Sequence, residues 1–143
     1  RSEVRFASTM ASGWYTQSVE FGAAYAPSLA LDGAGSPQIS YQDGWAHGLK
    51  QARWVSDTWE IQTVISTNVG YGSSLAVDAA GYPHIAYQDD ADFTLRYAAW
   101  TGSVWITATI GPGYGPALRL DGRFRPAEEM LREKIAWLDR YLR

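Results

Sequence analysis

Residues 28–41 read SLALDGAGSPQISY, and residues 74–87 read SLAVDAAGYPHIAY. The two strings align without a gap at an offset of 46 residues, and each holds two short apolar or alternating runs on either side of a D-x-x-G turn. Runs this short, bounded by Asp, Gly and Pro, are strands joined by tight turns rather than helices. Working outward, the same offset joins Trp54 to Trp100 and Trp59 to Trp105, within LKQARWVSDTW and LRYAAWTGSVW. The N-terminal VRFASTMASGW repeats that string with Trp14 in the place of Trp59, and PALRLD, ending at Asp121, restarts the cycle 43 residues after Asp78. The chain therefore reads as a repeat of about 46 residues.

Each unit holds four runs: A (Ser28–Leu31), B (Gln38–Tyr41), C (Leu49–Trp54) and D (Trp59–Val64). Four antiparallel strands in a unit of this length match one blade of a β-propeller, roughly 40 to 50 residues. Along the chain the order predicts two whole units, flanked by an N-terminal C–D pair (Val4–Ala7 and Trp14–Val19) and a C-terminal A strand (Pro116–Leu120). A closed propeller takes about four blades or more. The fold class expected is thus all-β, with about 2.5 to 3 blades per chain completed by homo-oligomerisation. The chain's partner is then itself: a six-bladed homodimer is preferred, with a nine-bladed homotrimer as the second option.

Composition narrows the function classes. The 143 residues carry a net charge of −3, are 46% hydrophobic and include no cysteine. Disulfides, thiolate metal sites and thiol nucleophiles are absent. The charge disfavours nucleic acid as a partner, and no apolar stretch reaches the roughly 18 residues of a membrane-spanning helix. Residues 1–122 hold all 14 glycines and form the repeat segment, with six basic and eleven acidic side chains. Residues 123–143 hold no glycine, six basic and four acidic side chains, and read as a second unit, an amphipathic helix. Pro126 suits its first turn, Glu128 and Glu129 its N-terminal dipole, and Arg140 and Arg143 its far end. Leu131, Ile135, Leu138 and Leu142 form one apolar stripe, expected either to dock on the strands or to set subunit number by helix-to-helix contact. A change from repeat to helix inside a repeat unit points to recombination, truncation or design at that junction.

Chemistry-bearing residues are few. His47 and His84 are the two histidines, which without cysteine do not make a metal site, and no cofactor fingerprint is present. Asp32, Asp78 and Asp121 sit in D-x-x-G turns, where a carboxylate caps the turn rather than binding calcium. No nucleophile elbow or Ser-His-Asp arrangement appears, so no catalytic residue is assigned. The candidate ligand residues are Gln42, Asp43 and Trp45 in the B–C turn, Gln88 and Asp89 in the matching turn, and the repeated Trp54 and Trp100. Aromatic rings stack on the apolar face of a pyranose while amides and carboxylates bind its hydroxyls, which makes glycans the partner class for such a set. The expected function is a non-catalytic module that self-assembles. The alternatives are a carbohydrate-binding lectin with pockets between blades, and a glycoside hydrolase needing two carboxylates across a cleft.

The pattern P-S-L-A-L-D-x-x-G-x-P-x-I-S-Y-x-D, followed by L-K-x-A-x-W-x-x-x-x-W, resembles the bacterial β-propeller repeats of the BNR and Asp-box class over residues 3–122. Ser56, Asp57 and Trp59 keep a fragment of the Asp box, whereas Thr101–Trp105 has no Asp. The resemblance implies the propeller fold and a secreted or surface-associated protein. IAYQ followed by LRYAAWTGSVW is also similar to the repeats of fucose-binding propeller lectins. The Arg and Glu that such lectins use on sugar correspond here to Ser40 or Ala86 and to Gln51 or Tyr97.

Overall fold

A computed structural model describes residues 2–120. Asp121 and the 123–143 segment, with the expected helix and its Leu131, Ile135, Leu138 and Leu142, lie outside the described residues. Among the described residues there are ten strands and no helix: β1 (Glu3–Met10), β2 (Gly13–Phe21), β3 (Ala24–Leu31), β4 (Pro37–Asp43), β5 (Gly48–Val55), β6 (Thr58–Ile65), β7 (Val69–Val77), β8 (Pro83–Asp89), β9 (Thr94–Trp100) and β10 (Trp105–Pro112). They form three antiparallel sheets: the hairpin β1–β2, the meander β3-β4-β5-β6 and the meander β7-β8-β9-β10. The fold is all-β, and the four expected runs A to D fall inside β3 to β6.

The D-x-x-G signal makes its turn through the carboxylate. Asp32 Oδ1 accepts the backbone N–H groups of Ala34 at 2.9 Å and Ser36 at 2.8 Å. Asp78 Oδ1 does the same for Ala80 and Tyr82, both at 2.9 Å. A side chain that satisfies two turn amides fixes where one strand stops and the next begins.

The central strands β4 and β8 are buried along nearly their whole length, and β4 lies in the middle sheet, with another sheet on either side. On one face Ile39, Tyr41 and Ala52 pack with Val4 and Val19 of the hairpin, joined by Phe6 and Trp59. On the other face Leu49 packs with Val69, Leu75, Ile85, Tyr87 and Ala98 of the second meander. Alternation along each strand delivers one apolar set to each side.

Polar contacts complete each junction. Glu20 at the end of β2 accepts the Tyr41 hydroxyl at 2.8 Å and the Lys50 ammonium at 2.7 Å, and Lys50 also meets Asp43 at 2.8 Å. Burial first, then the Glu20 carboxylate, pushes the Tyr41 phenol well above its ordinary range. The hydrogen bond from Lys50 holds Asp43 below the usual carboxylate range. Burial works against the Lys50 charge, but its two carboxylate partners outweigh burial and raise its pKa.

Between the two meanders a main-chain bond from the Val69 N–H to the His47 carbonyl, at 2.8 Å, is joined by bonds that involve side chains. Ser28 Oγ accepts the Leu75 N–H at 3.0 Å, Gln38 Nε2 donates to the Gly81 carbonyl at 2.9 Å, Gln42 Nε2 donates to the Val69 carbonyl, and the Ser40 and Ser73 hydroxyls share a bond of 2.8 Å. Trp105 Nε1 donates to Gln62 Oε1 at 3.0 Å near the outer strands. On the far side of the second meander, Ser74 Oγ accepts the Leu118 N–H at 2.9 Å. The expected A strand Pro116–Leu120 thus lies beside β7, but it is not a strand. Among the described residues no second strand supplies the ladder that β4 gives β3 and β8 gives β7.

Candidate functional site

The sequence-derived candidates separate into two ends of the sheets. Gln42, Asp43 and Trp45 meet at the β4–β5 turn, and Gln88 and Asp89 take the same place at the β8–β9 turn. Trp54 and Trp100 sit at the opposite ends of β5 and β9, six residues on from Gly48 and Thr94, or about 20 Å away at 3.3 Å per residue. They do not join the Gln and Asp side chains in one site.

At the turn end most polar atoms are already committed. Asp43 Oδ1 accepts the Trp45 N–H at 2.8 Å and the Ala46 N–H at 3.1 Å, while Oδ2 holds Lys50. Asp89 Oδ1 accepts the Ala91 N–H at 2.9 Å, and its Oδ2 lies 3.1 Å from Arg96. Gln88 Nε2 donates to Asp90 Oδ1 at 2.8 Å. Gln42 is buried, and its Oε1 is a buried acceptor with no hydrogen-bond partner among the described residues. Trp45 alone of this set faces outward, 81% exposed, over a shallow cleft of about 350 Å³ that it shares with Ser2, Phe21, Gly22 and Ala23.

At the opposite end the tryptophans pack on one another. Trp54 meets Trp59 edge to face at 5.4 Å between centroids, Trp100 meets Trp105 at 5.5 Å, and Phe6 reaches Trp59 at 5.7 Å. A second cleft of about 590 Å³ opens between the hairpin and the first meander, with Phe6, Met10, Tyr15 and Trp54 among its walls.

Two features escaped the reading of the sequence. Tyr25, Tyr71 and Tyr114 each stand seven residues before a repeat aspartate, a spacing that was available to find them. All three are exposed, and Tyr25 and Tyr71 touch edge to face at 5.8 Å. Tyr25 is followed by Ala26 in the left-handed region at φ 49°, where the second meander has Gly72 at φ 103°. The second feature is a row linking Asp78, His84 and Tyr97. Asp78 Oδ2 lies 3.0 Å from His84 Nε2, and His84 Nδ1 shares a 2.5 Å bond with the Tyr97 hydroxyl. Its counterpart in the first meander is the amide pair Gln38 and Gln51, bonded at 2.9 Å. Sequence placed His84 at the start of a strand but gave no sign that it is fully buried.

Burial holds the His84 pKa below its ordinary value, against the opposing pull of Asp78, and burial raises the Tyr97 phenol to about 12. The buried imidazole thus bridges a carboxylate at one ring nitrogen and a phenol at the other. Among the described residues no group of three His, Asp or Glu side chains is arranged to hold a metal ion.

The depressed histidine has a measurable consequence. Well above about pH 6.5 both folded and unfolded chains hold it neutral, so its contribution is fully present there. As pH falls below that, the unfolded chain takes up a proton that folded His84 refuses, and stability declines by up to about 1.4 kcal/mol per pH unit. Installing the sister pair, His84→Gln with Tyr97→Gln, is expected to flatten the fall in Tm between pH 7 and 5, followed by circular dichroism. An unchanged slope would contradict this role.

No family model matches the chain, and no curated protein sequence matches it. Among solved structures, a fucose lectin from Kordia zhangzhouensis in complex with methyl-fucoside is similar to it, with a TM-score of 0.45 and 17% sequence identity over 75% of this chain and 90% of that one.

Proposed function

We propose that these residues are an arc of a β-propeller, a non-catalytic module that closes into a ring by self-association. One observation carries the reading. Ser28 and Ser74, equivalent in the repeat, each accept a backbone N–H from the next inner segment, at Leu75 and at Leu118. The same bond made twice relates one unit to the next by one constant step, and nothing in such a step stops at two sheets. The hairpin β1–β2 then supplies the two outer strands of a preceding blade, and residues 116–120 the inner segment of a following one. Joined between copies they give three blade equivalents per chain, six in a dimer. Closure also covers sheet faces and edges that otherwise invite nonspecific pairing.

Light scattering on the 143-residue polypeptide at micromolar concentration is the test. The expected mass is a whole multiple of 15.8 kDa, with two copies favoured over three. A compact, stable monomer would remove the self-association.

Carbohydrate binding is the second reading, favoured by the exposed Trp45, Tyr25, Tyr71 and Tyr114 at the turn end. Exposed rings in repeated positions offer stacking platforms whose weak single contacts sum through repetition. Retention on a glycan array, lost in a Trp45→Ala, Tyr71→Ala variant of unchanged Tm, is the expected outcome. Absence of retention across the array would reject it.

A further inference from the structure

In both four-stranded sheets the third strand carries a basic residue that reaches the aspartate ending the second strand: Lys50 on Asp43 at 2.8 Å, and Arg96 on Asp89 at 3.1 Å. Two positions further on stands an alanine, Ala52 or Ala98, opposite an isoleucine of the second strand, Ile39 or Ile85. The tyrosine between them in register, Tyr41 or Tyr87, pairs with the basic residue itself. The small alanine leaves room for the isoleucine, and the cation sits where the aspartate arrives.

Strand β1 repeats this code without its partner. Val4-Arg5-Phe6-Ala7 aligns with Leu49-Lys50-Gln51-Ala52 and with Leu95-Arg96-Tyr97-Ala98. β1 pairs with β2 on one edge, and among the described residues no strand pairs with the other. The Arg5 side chain is 56% exposed, with Thr16 Oγ1 at 3.2 Å and Glu3 at 3.5 Å in the role that an aspartate fills elsewhere. Val4 is buried against the first meander, so the strand is held in place and its free edge is preformed.

We infer that the free edge of β1 is a strand-acceptor site for an extended segment of the pattern I-x-Y-x-D, running antiparallel to β1 with Ile opposite Ala7, Tyr opposite Arg5 and its aspartate on the Arg5 guanidinium. Main-chain bonds along the open edge give affinity, and the alternate side chains and the charge pair give register and selectivity. Glu3 lies opposite the incoming aspartate, where the complete sheets have Gly48 and Thr94, and therefore opposes it. The inference rests on the blade reading above, since it takes β1–β2 as the outer half of a four-stranded unit.

The test titrates a labelled synthetic peptide, SPQISYQD (residues 36–43), into the 143-residue polypeptide by fluorescence anisotropy, with a scrambled peptide as control. Saturable binding of the ordered peptide alone is expected, weakened about tenfold by Arg5→Gln and tightened about threefold by Glu3→Thr. Arg5 is exposed, so unchanged Tm of the variant shows that the fold is kept. Absence of saturable binding, equal binding of the scrambled peptide, or full affinity in Arg5→Gln would each overturn the site. Light scattering on the same samples keeps the two readings apart. A monomer that takes up the peptide removes ring closure and leaves the acceptor site, whereas a multimer that takes up none removes the acceptor site alone.

Discussion

The arrangement depends on a hydrogen bond from a main-chain amide of one sheet to a serine hydroxyl of its neighbour. Edge strands β3 and β7 lie in different sheets and share no ladder, yet a backbone N–H between them needs an acceptor if it is to be buried. Ser28 supplies it to Leu75, and Ser74 supplies it to Leu118. Around this bond the apolar groups fall into place, Leu75 and Val69 against Leu49 on one side of the seam. Gln38, Ser40 and Gln42 add further polar ties along the same face. Dispersion and burial supply most of the attraction, and the polar seam fixes the step from one sheet to the next.

The junction with the hairpin is built differently. There an ionic cluster replaces the amide ties: Glu20 receives both Tyr41 and Lys50, and Asp43 completes the set. In the second meander Arg96 turns instead to Asp89 and Asp92 of its own sheet. One repeat position therefore serves two purposes. In both four-stranded sheets the basic residue of the third strand meets the aspartate of the second, and in the first it also ties the sheet to the hairpin through Glu20. Arg5 inherits the position without either partner.

Much of the fold could be read from the sequence, since the 46-residue offset and the D-x-x-G turns depend on local chemistry. What escaped was burial of polar groups. Gln38, Gln42, Gln51 and His84 look like surface residues by type, but all four are buried, and their amide NH2 groups or ring bond to neighbouring backbone and side chains. The aspartates of the candidate site are likewise turn caps and ion-pair partners. Trp45 kept its exposure because the turn lifts it past the end of the ladder. The segment 116–120 has no strand partner among the described residues, a fact no local pattern encodes.

Amide hydrogen exchange at Leu75 and Leu118, read residue by residue, reports on the seam directly. Both amides are expected to exchange slowly, with Ser28→Ala releasing Leu75 alone and Ser74→Ala releasing Leu118 alone. Fast exchange at Leu118 in the unmodified chain, at the rate of an open segment, would mean that the step between sheets is not repeated.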